Sequence, residues 1–231
     1  DSETAVQKTH VDDEYAYAGV KDPKICISTS RDPSSRLSQF VKEMRFIFPN
    51  SQRINRGNHK IAELIDACRA NNFTDLIMFQ EHRGEPVGMV VCHMPYGPTA
   101  YFGISNAVMR HDIEGTAPMS EAFPHLIFEN FQSDLGKRLG AILKYLFPVP
   151  KLDSKRVITF SNDNDFISFR HHTYTRESGA PTKDDVNLKE IGPRFELRPY
   201  KIQLGTMDQT EAEVEWALRP YMNTAKKRRY M

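Results

Sequence analysis

Two stretches of the chain carry apolar residues at spacings of three and four, which is the repeat of an amphipathic helix. One stretch lies between Ser34 and Pro49, and the other lies between Ser133 and Pro148. The apolar positions are Leu37, Phe40, Val41, Met44 and Ile47 in the first, and Leu135, Leu139, Ile142, Leu143 and Leu146 in the second. Serine is a preferred N-cap and proline cannot continue a helix. Ser34 or Ser35 is therefore predicted to cap the first helix and Ser133 the second, and Pro49 and Pro148 are predicted to end them.

Two further helices are predicted on weaker patterns. The first would open at Asn58 and place Ile61, Leu64, Ile65 and Cys68 on one face. The second is a short acidic helix over residues 210–218 that would dock through an apolar side on the body of the protein or on a partner.

Runs of β-branched and aromatic residues predict the strands. They cover residues 24–30, 76–80, 87–94, 99–108, 125–131, 157–161, 166–175 and 195–204. Residues 83–86 and 162–165 have the composition of tight turns between successive runs. The short connections predict antiparallel pairing, and residues 76–108 are expected to form one antiparallel sheet.

The two strong helices belong to a repeat. Setting each residue against the one 99 positions later aligns Ser34 with Ser133 and Pro49 with Pro148, with matching apolar positions between them. The pattern predicts two similar α/β halves with a groove between them, a common place for partners to bind. The alternative is coincidence, because every helix needs a cap and a stop.

The repeat divides the chain into five parts. They are an extended N-terminal arm at 1–23, a first half at 24–108, a connecting segment at 109–124, a second half at 125–205, and a C-terminal helix and basic tail at 206–231.

Composition places the chain among globular proteins. It has 231 residues, of which 39% are hydrophobic and 26% charged, with a mean hydropathy of −0.55. No apolar run approaches the length that a bilayer requires, so no membrane partner is expected. The three cysteines are far apart in the sequence, which argues against a disulfide framework or a zinc knuckle and favours a reducing compartment.

The net charge of +1 conceals alternating blocks. Residues 1–23 carry −4, 24–60 carry +6, 61–135 carry −7, 136–202 carry +5 and 203–231 carry +1. Blocks of this size can steer a polyanion to one face and a basic partner to another. The alternative is ordinary fluctuation of charge along a chain.

No signature of a common enzyme class is present. The chain lacks GxxxxGK[ST], GxGxxG, GxSxG and HExxH. Residues 162–165 resemble the start of a calcium loop but lack its glycine and distal glutamate, and the histidines show no metal-ligand spacing. Asp163, Asp165 and Glu177 are poor candidates for a nuclease site. The prediction is a non-catalytic protein without cofactor or metal.

The positive signal is basic. Residues 28–36 place hydroxyls, Arg31 and Arg36 at the start of the first helix, where free N–H groups favour an anion such as phosphate. The alternative is that the hydroxyls only cap the helix. Arg53, Arg56 and Lys60 extend the same basic block.

Residues 191–205, IGPRFELRPYKIQLG, are similar to the closing signature of the Brix-domain family of ribosome-biogenesis proteins. The ISTSR of residues 27–31, the RINRG of residues 53–57 and the FENF of residues 128–131 resemble other parts of the same family. The resemblance runs over roughly 24–205. It implies a two-halved α/β (α+β) fold related to anticodon-binding domains.

The resemblance also implies a function. It points to a non-catalytic RNA-binding assembly factor of the nucleus and nucleolus, acting in the small-subunit processome on U-three small nucleolar RNA and pre-ribosomal RNA. Its protein partners would be an Mpp-ten-like scaffold, an Imp-three-like protein and other processome proteins. The alternative is a protein-interaction module whose basic faces bind acidic scaffold segments, with RNA contact incidental.

The candidate RNA-binding residues combine the basic blocks with the signature. They are Arg31, Arg36, Arg53, Arg56, Lys60, Arg194, Arg198, Lys201, Lys226, Lys227, Arg228 and Arg229. On a regular strand Arg194 and Arg198 would share a face, and Lys201 would point the other way. The basic run at 226–229 could enter an RNA groove, serve in nuclear import or be a solvated tail.

Overall fold

A computed structural model of the chain describes residues 14–176 and 186–219. These residues form a mixed α/β fold with one 11-stranded sheet. The helices are α1 (Ser35–Ile47), α2 (Ile61–Ala70) and α3 (Asp134–Lys144), with a short 3-10 helix at Arg110–Asp112. The strands are β1 (Ile25–Thr29), β2 (Ser51–Arg53), β3 (Asp75–His82), β4 (Glu85–His93), β5 (Thr99–Val108), β6 (His125–Glu129), β7 (Arg156–Asp163), β8 (Phe166–Arg176), β9 (Val186–Glu190), β10 (Arg194–Gln203) and β11 (Val214–Ala217).

The main path of the sheet runs β2-β1-β3-β4-β5-β10-β8-β7-β6, while β11 pairs with β10 and β9 with β8. Strand β1 is parallel to both β2 and β3, and β6 is parallel to β7. All other pairs are antiparallel, including β5 with β10 at the centre. Of the described helices, none is long and apolar enough to cross a membrane.

The two halves follow the same path. The first runs β1, α1, β3, β4, β5, and the second runs β6, α3, β7, β8, β10. Their helices begin in the same way, because the Ser34 hydroxyl accepts from the Leu37 amide at 3.1 Å and the Ser133 hydroxyl accepts from the Gly136 amide at 2.9 Å. The predicted fold of two similar strand-helix-sheet halves is confirmed.

Helices α1 and α3 pack on the same face of the sheet over one hydrophobic core. Aromatic rings cross the boundary between the halves: the Phe40 and Phe195 ring centroids are 5.8 Å apart, and those of Phe48 and Phe147 are 5.2 Å apart. Because β5 also pairs with β10, the strands of the two halves form one continuous sheet. Burial of this shared apolar surface favours a single folding unit.

A buried arginine forms hydrogen bonds between the two halves. Arg156, only 1% exposed, donates to the carbonyl oxygens of Phe46 and Ile47 at the end of α1, at 2.8 and 2.9 Å. It also donates to the Ala122 carbonyl and to Nε2 of His171. Burial lowers the pKa of Arg156 to about 10, which still leaves it charged at neutral pH. The cation satisfies carbonyls that the end of a helix leaves unpaired.

The first half carries two elements that the second half lacks. Strand β2 and helix α2 lie between α1 and β3, where β2 pairs with the outer edge of β1 and α2 covers the opposite sheet face. Leu64, Ile65 and Cys68 of α2 form a second apolar cluster with residues of β1, β3 and β4. The corresponding segment of the second half, residues 145–155, contains neither a helix nor a strand.

Two sequence-based expectations are wrong. Residues 214–217 form strand β11 rather than part of a helix, because glutamates at 211, 213 and 215 alternate with Ala212, Val214 and Trp216 at the period of a strand. Helix α2 begins at Ile61 rather than near Asn58. The pattern also missed the short strands β2 and β9.

Candidate nucleic-acid interface

The sheet face opposite α1 and α3 is uncovered in the second half. Along β8 and β10 the buried residues face the core, and the residues between them face outward. No helix of residues 14–176 or 186–219 packs on those outward side chains, since α2 lies against the first half. We call this surface the open face, defined by Phe166, Ser168, Arg170, Glu196, Arg198, Tyr200 and Lys201.

Cationic and aromatic groups are interleaved on the open face. The Arg198 guanidinium lies 5.0 Å from the Phe166 ring centroid, and Phe166 and Tyr200 are each 40% exposed. The Tyr200 ring centroid is 5.8 Å from that of Tyr101 on β5. Exposed rings can stack on unpaired bases while neighbouring cations bind phosphates, so the arrangement suits single-stranded RNA.

Lys201 lies on the same face as Arg198, contrary to the alternation-based prediction. The β5–β10 register shifts between Pro199 and Lys201, so that Arg198 pairs with Gly103 and Lys201 with Tyr101. The Lys201 ammonium lies 5.2 Å from the Tyr101 ring centroid. The bulge inserts one extra residue into β10, which reverses the facing of the side chains beyond it.

Two arginines of this region are ion-paired. Arg170 reaches Glu196 at 3.3 Å, and Arg194 reaches Glu190 at 3.2 Å. Arg198 and Lys201 form no ion pair with a carboxylate among the described residues, although the Asp165 carboxylate lies close enough to Arg198 for the two charges to interact. These two cations are therefore less committed to internal partners than Arg170 and Arg194. Arg170 is not among the candidates predicted from the sequence; it lies between Phe169 and His171, which are buried, and so faces outward on β8.

A second basic group lies at the carboxyl ends of β1 and β2. Because these strands are parallel, the loops that follow them meet at one end of the sheet: the Ile54 amide donates to the Ile27 carbonyl at 2.9 Å, and the Ser28 hydroxyl donates to the Ile54 carbonyl at 3.0 Å. We call this group the basic edge, defined by Arg31, Arg53, Arg56 and Lys60. None of the four side chains forms an ion pair with a described carboxylate, although the backbone amide of Lys60 donates to the Glu63 carboxylate at 3.2 Å.

The start of α1 already holds an anion. The Ser34 amide donates to the Glu81 carboxylate at 2.9 Å, and the Ser34 hydroxyl bonds to the same carboxylate. Arg36 forms an ion pair with Glu85 at 3.1 Å. The hydroxyl therefore caps the helix, and a phosphate at this point would compete with an internal carboxylate.

The candidate residues thus form two groups rather than one. Strands β2 and β10 are five positions apart in the sheet, which corresponds to about 24 Å at about 4.8 Å per strand. Arg194, Arg198 and Lys201 lie on β10, whereas the basic edge lies at the far end of the first half. Lys226, Lys227, Arg228 and Arg229 fall outside the described residues.

A cavity of about 830 Å³ lies beneath residues 14–24. Of these, residues 14–23 belong to the predicted extended arm, which spans 1–23. The Tyr15 ring packs between His93 of the first half and Tyr145 of the second, with centroid distances of 4.3 and 4.9 Å. Both halves therefore line this cavity. The described part of the arm packs on the body of the protein.

Two charged networks hold this segment. Burial lowers the pKa of His93, but hydrogen bonds to the Asp75 carboxylate and the Glu14 carbonyl outweigh it and raise the pKa above its usual value. Arg138 on α3 binds both Glu14 and Glu215, each at 2.9 Å. Within the described ranges, no cluster of three His, Cys, Asp or Glu side chains could hold a metal ion.

Comparison with known proteins identifies the family of the chain. The family model of the Brix domain matches residues 30–201, most of the chain, and this protein belongs to the Brix-domain family. The match spans both groups of candidate residues.

Individual relatives are close in sequence. The chain is 58% identical over 224 residues to the U3 small nucleolar ribonucleoprotein protein IMP4 of Rattus norvegicus, covering 96% of this chain and 76% of that protein. It is 52% identical over 223 residues to the protein of the same name from Saccharomyces cerevisiae, covering 96% and 75%.

The fold also resembles a solved structure. The crystal structure of a probable ribosomal biogenesis protein from Aeropyrum pernix K1 matches with a TM-score of 0.56 and 18% identity, covering 76% of this chain and 96% of that one. At this identity the likeness concerns the fold alone.

Proposed function

We propose that the chain is a non-catalytic RNA-binding assembly factor of the U-three small nucleolar ribonucleoprotein. Within the small-subunit processome it would support pre-ribosomal RNA processing in the nucleolus. The observation that carries the proposal is the open face, where Arg198 and Lys201 form no ion pair with a described carboxylate, Arg198 lies beside the exposed Phe166 ring, and Lys201 lies beside the half-buried Tyr101 ring. The assignment to this ribonucleoprotein particle is based on the names of its relatives.

Each group of residues has a distinct role in this proposal. Arg198 and Lys201 bind phosphates of small nucleolar or pre-ribosomal RNA, while Phe166 and Tyr200 stack on unpaired bases. The basic edge binds phosphates of a second stretch of RNA, because it is too far from the open face to share one nucleotide. Such contacts release condensed counterions, so affinity falls steeply with salt.

The proposal includes protein partners. An Mpp-ten-like scaffold and an Imp-three-like protein would dock on the chain in the same particle. Surfaces outside the open face would serve this docking, since RNA occupies that face.

A second function is favoured by one observation. Arg170 and Arg194 already bind the carboxylates of Glu196 and Glu190, so this part of the surface accepts acidic side chains. In this alternative the basic faces bind acidic scaffold segments and RNA contact is incidental.

The two functions separate in a binding experiment with the purified chain and U-three small nucleolar RNA. The paired substitutions Arg198→Glu and Lys201→Glu should weaken RNA binding at least tenfold and reduce the slope of log affinity against log salt by roughly 1.4, at about 0.7 per phosphate contact. Lys42→Glu, an exposed cation on α1, is the matched control. Equal affinity of the double variant and wild type would support the alternative.

A further inference from the structure

The outer edge of β6 is the end of the sheet in the second half. Strand β6 pairs with β7 on one side, and no described strand pairs with its other side. Its backbone groups form no hydrogen bond to described backbone outside that pair. An edge of this kind presents a row of N–H and C=O groups that an added strand can satisfy.

The first half shows what fills the equivalent edge. Strand β1, the counterpart of β6, is covered by β2 in parallel register, with Ile25 opposite Ser51 and Ile27 opposite Arg53. The same fold therefore accommodates a parallel strand at this position.

The segment of the second half that corresponds to β2 does not form such a strand. The repeat places residues 150–152 where the first half has β2, and Pro150 there has no N–H to donate. The Ser154 amide instead donates to the Lys151 carbonyl at 3.1 Å, which closes a turn. Among residues 14–176 and 186–219, therefore, no segment fills the outer edge of β6.

Strand β6 carries no lysine, proline or bulge along its exposed edge, and its one carboxylate, Glu129, lies at its last position. Natural edge strands carry lysine, proline or a bulge that blocks pairing. The sequence HLIFE contains neither residue, and its register with β7 is regular. Ile127 at its centre is 50% exposed, and Val149 and Leu152 on the adjoining segment are also exposed.

We propose that the outer edge of β6 docks an extended segment of a partner protein, which adds to the sheet as a parallel strand. Main-chain hydrogen bonds provide the affinity, and an apolar side chain of the segment packs on Ile127. RNA is not the occupant, because β6 has no lysine or arginine and ends at Glu129. The inference rests on the protein-docking part of the proposed function.

Hydrogen exchange tests the proposal on the chain alone and on the chain in its purified ribonucleoprotein particle. Alternate amides of residues 125–129 should exchange at least tenfold more slowly in the particle, and digestion of the RNA should leave that protection in place. Unchanged exchange in the particle would overturn the proposal, as would protection that disappears with the RNA. Protection of these amides by self-association of the isolated chain, measured by sedimentation, would assign the edge to a second copy and overturn it too.

Substitutions make the test specific. Ile127→Lys places a charge on the edge and should reduce incorporation into the particle at least fivefold, whereas Ile127→Val should keep it. Leu188→Lys is the matched control, because Leu188 on β9 is also an exposed aliphatic residue on a strand. Melting curves report whether each variant folds. The RNA affinity of isolated Ile127→Lys should equal that of wild type, so failure of this proposal is distinguishable from failure of the RNA-binding function.

Discussion

The two halves of the molecule share one path of strands and a helix but differ in what covers them. In the first half, α2 covers the sheet face opposite α1, and β2 covers the outer edge of β1. In the second half no described element covers the equivalent face or edge, and the face carries Arg198, Lys201 and exposed rings. The same scaffold is thus covered by its own chain in the first half, and we expect partners to bind the corresponding surfaces of the second half.

The largest expected effect concerns the joint between the halves. Arg156→Ala leaves the carbonyls at the end of α1 and the ring of His171 without their donor, and should lower the free energy of unfolding by about 4 kcal/mol. Urea unfolding measures the change, and exposed Lys155→Ala is the control. A loss below about 1 kcal/mol would mean that the halves are not joined through this residue.

The next prediction compares the covered face with the bare edge. Ile65→Ala on α2 removes a fully buried side chain and should lower the free energy of unfolding by about 3 kcal/mol. Ile127→Ala on the edge of β6 should change it by less than about 0.5 kcal/mol. Similar values for the two variants would contradict the distinction between a closed and an open half.

The buried histidine of the second half predicts a pH dependence. Burial and the charge of Arg156 lower the pKa of His171 to about 3. Above the unfolded pKa of about 6.5 the histidine is neutral in both states, and below it only the unfolded state gains a proton. Stability should therefore fall as pH drops from about 6.5 toward 3, by at most about 1.4 kcal/mol per pH unit from this residue. Urea unfolding of wild type and His171→Gln should show this dependence in wild type and a weaker one in the variant.

The partly buried histidine of the first half should act in the opposite direction and more weakly. The pKa of His93 is raised in the folded state, since Asp75 and the Glu14 carbonyl both accept its protons. The stability it contributes is complete below the unfolded pKa and is lost as pH rises through the folded pKa. The difference in unfolding free energy between wild type and His93→Gln should shrink as pH rises above about 6.5. A difference that grows with pH would contradict this reading.

The helices and the repeat could be predicted from the sequence because their signals are local. Ser34 and Ser133 cap the N-termini of α1 and α3, and Pro49 and Pro148 follow their C-termini. The apolar residues between them recur at the helical period. Strand β11 was assigned wrongly because a short acidic stretch is ambiguous until its pairing with β10 is known.

The site was predictable only in part. The facing of Lys201 depends on a bulge in β10, which alternation along one strand does not reveal. Glu81 is 47 residues from Ser34 in sequence, so its occupation of the start of α1 requires the tertiary fold. Arg156 and Arg170 are single arginines in strands, and only the structure separates the buried one from the outward one.

The central claim is that the uncovered face of the second half binds RNA while the covered face of the first half does not. Ultraviolet crosslinking of the chain within its particle, followed by mass spectrometry of the crosslinked peptides, tests it most directly. We expect crosslinks at Phe166 and Tyr200 and none within α2. A crosslink at Lys60 agrees with this expectation, because Lys60 belongs to the basic edge and precedes α2. Crosslinks along α2 with none on β8 or β10 would contradict it.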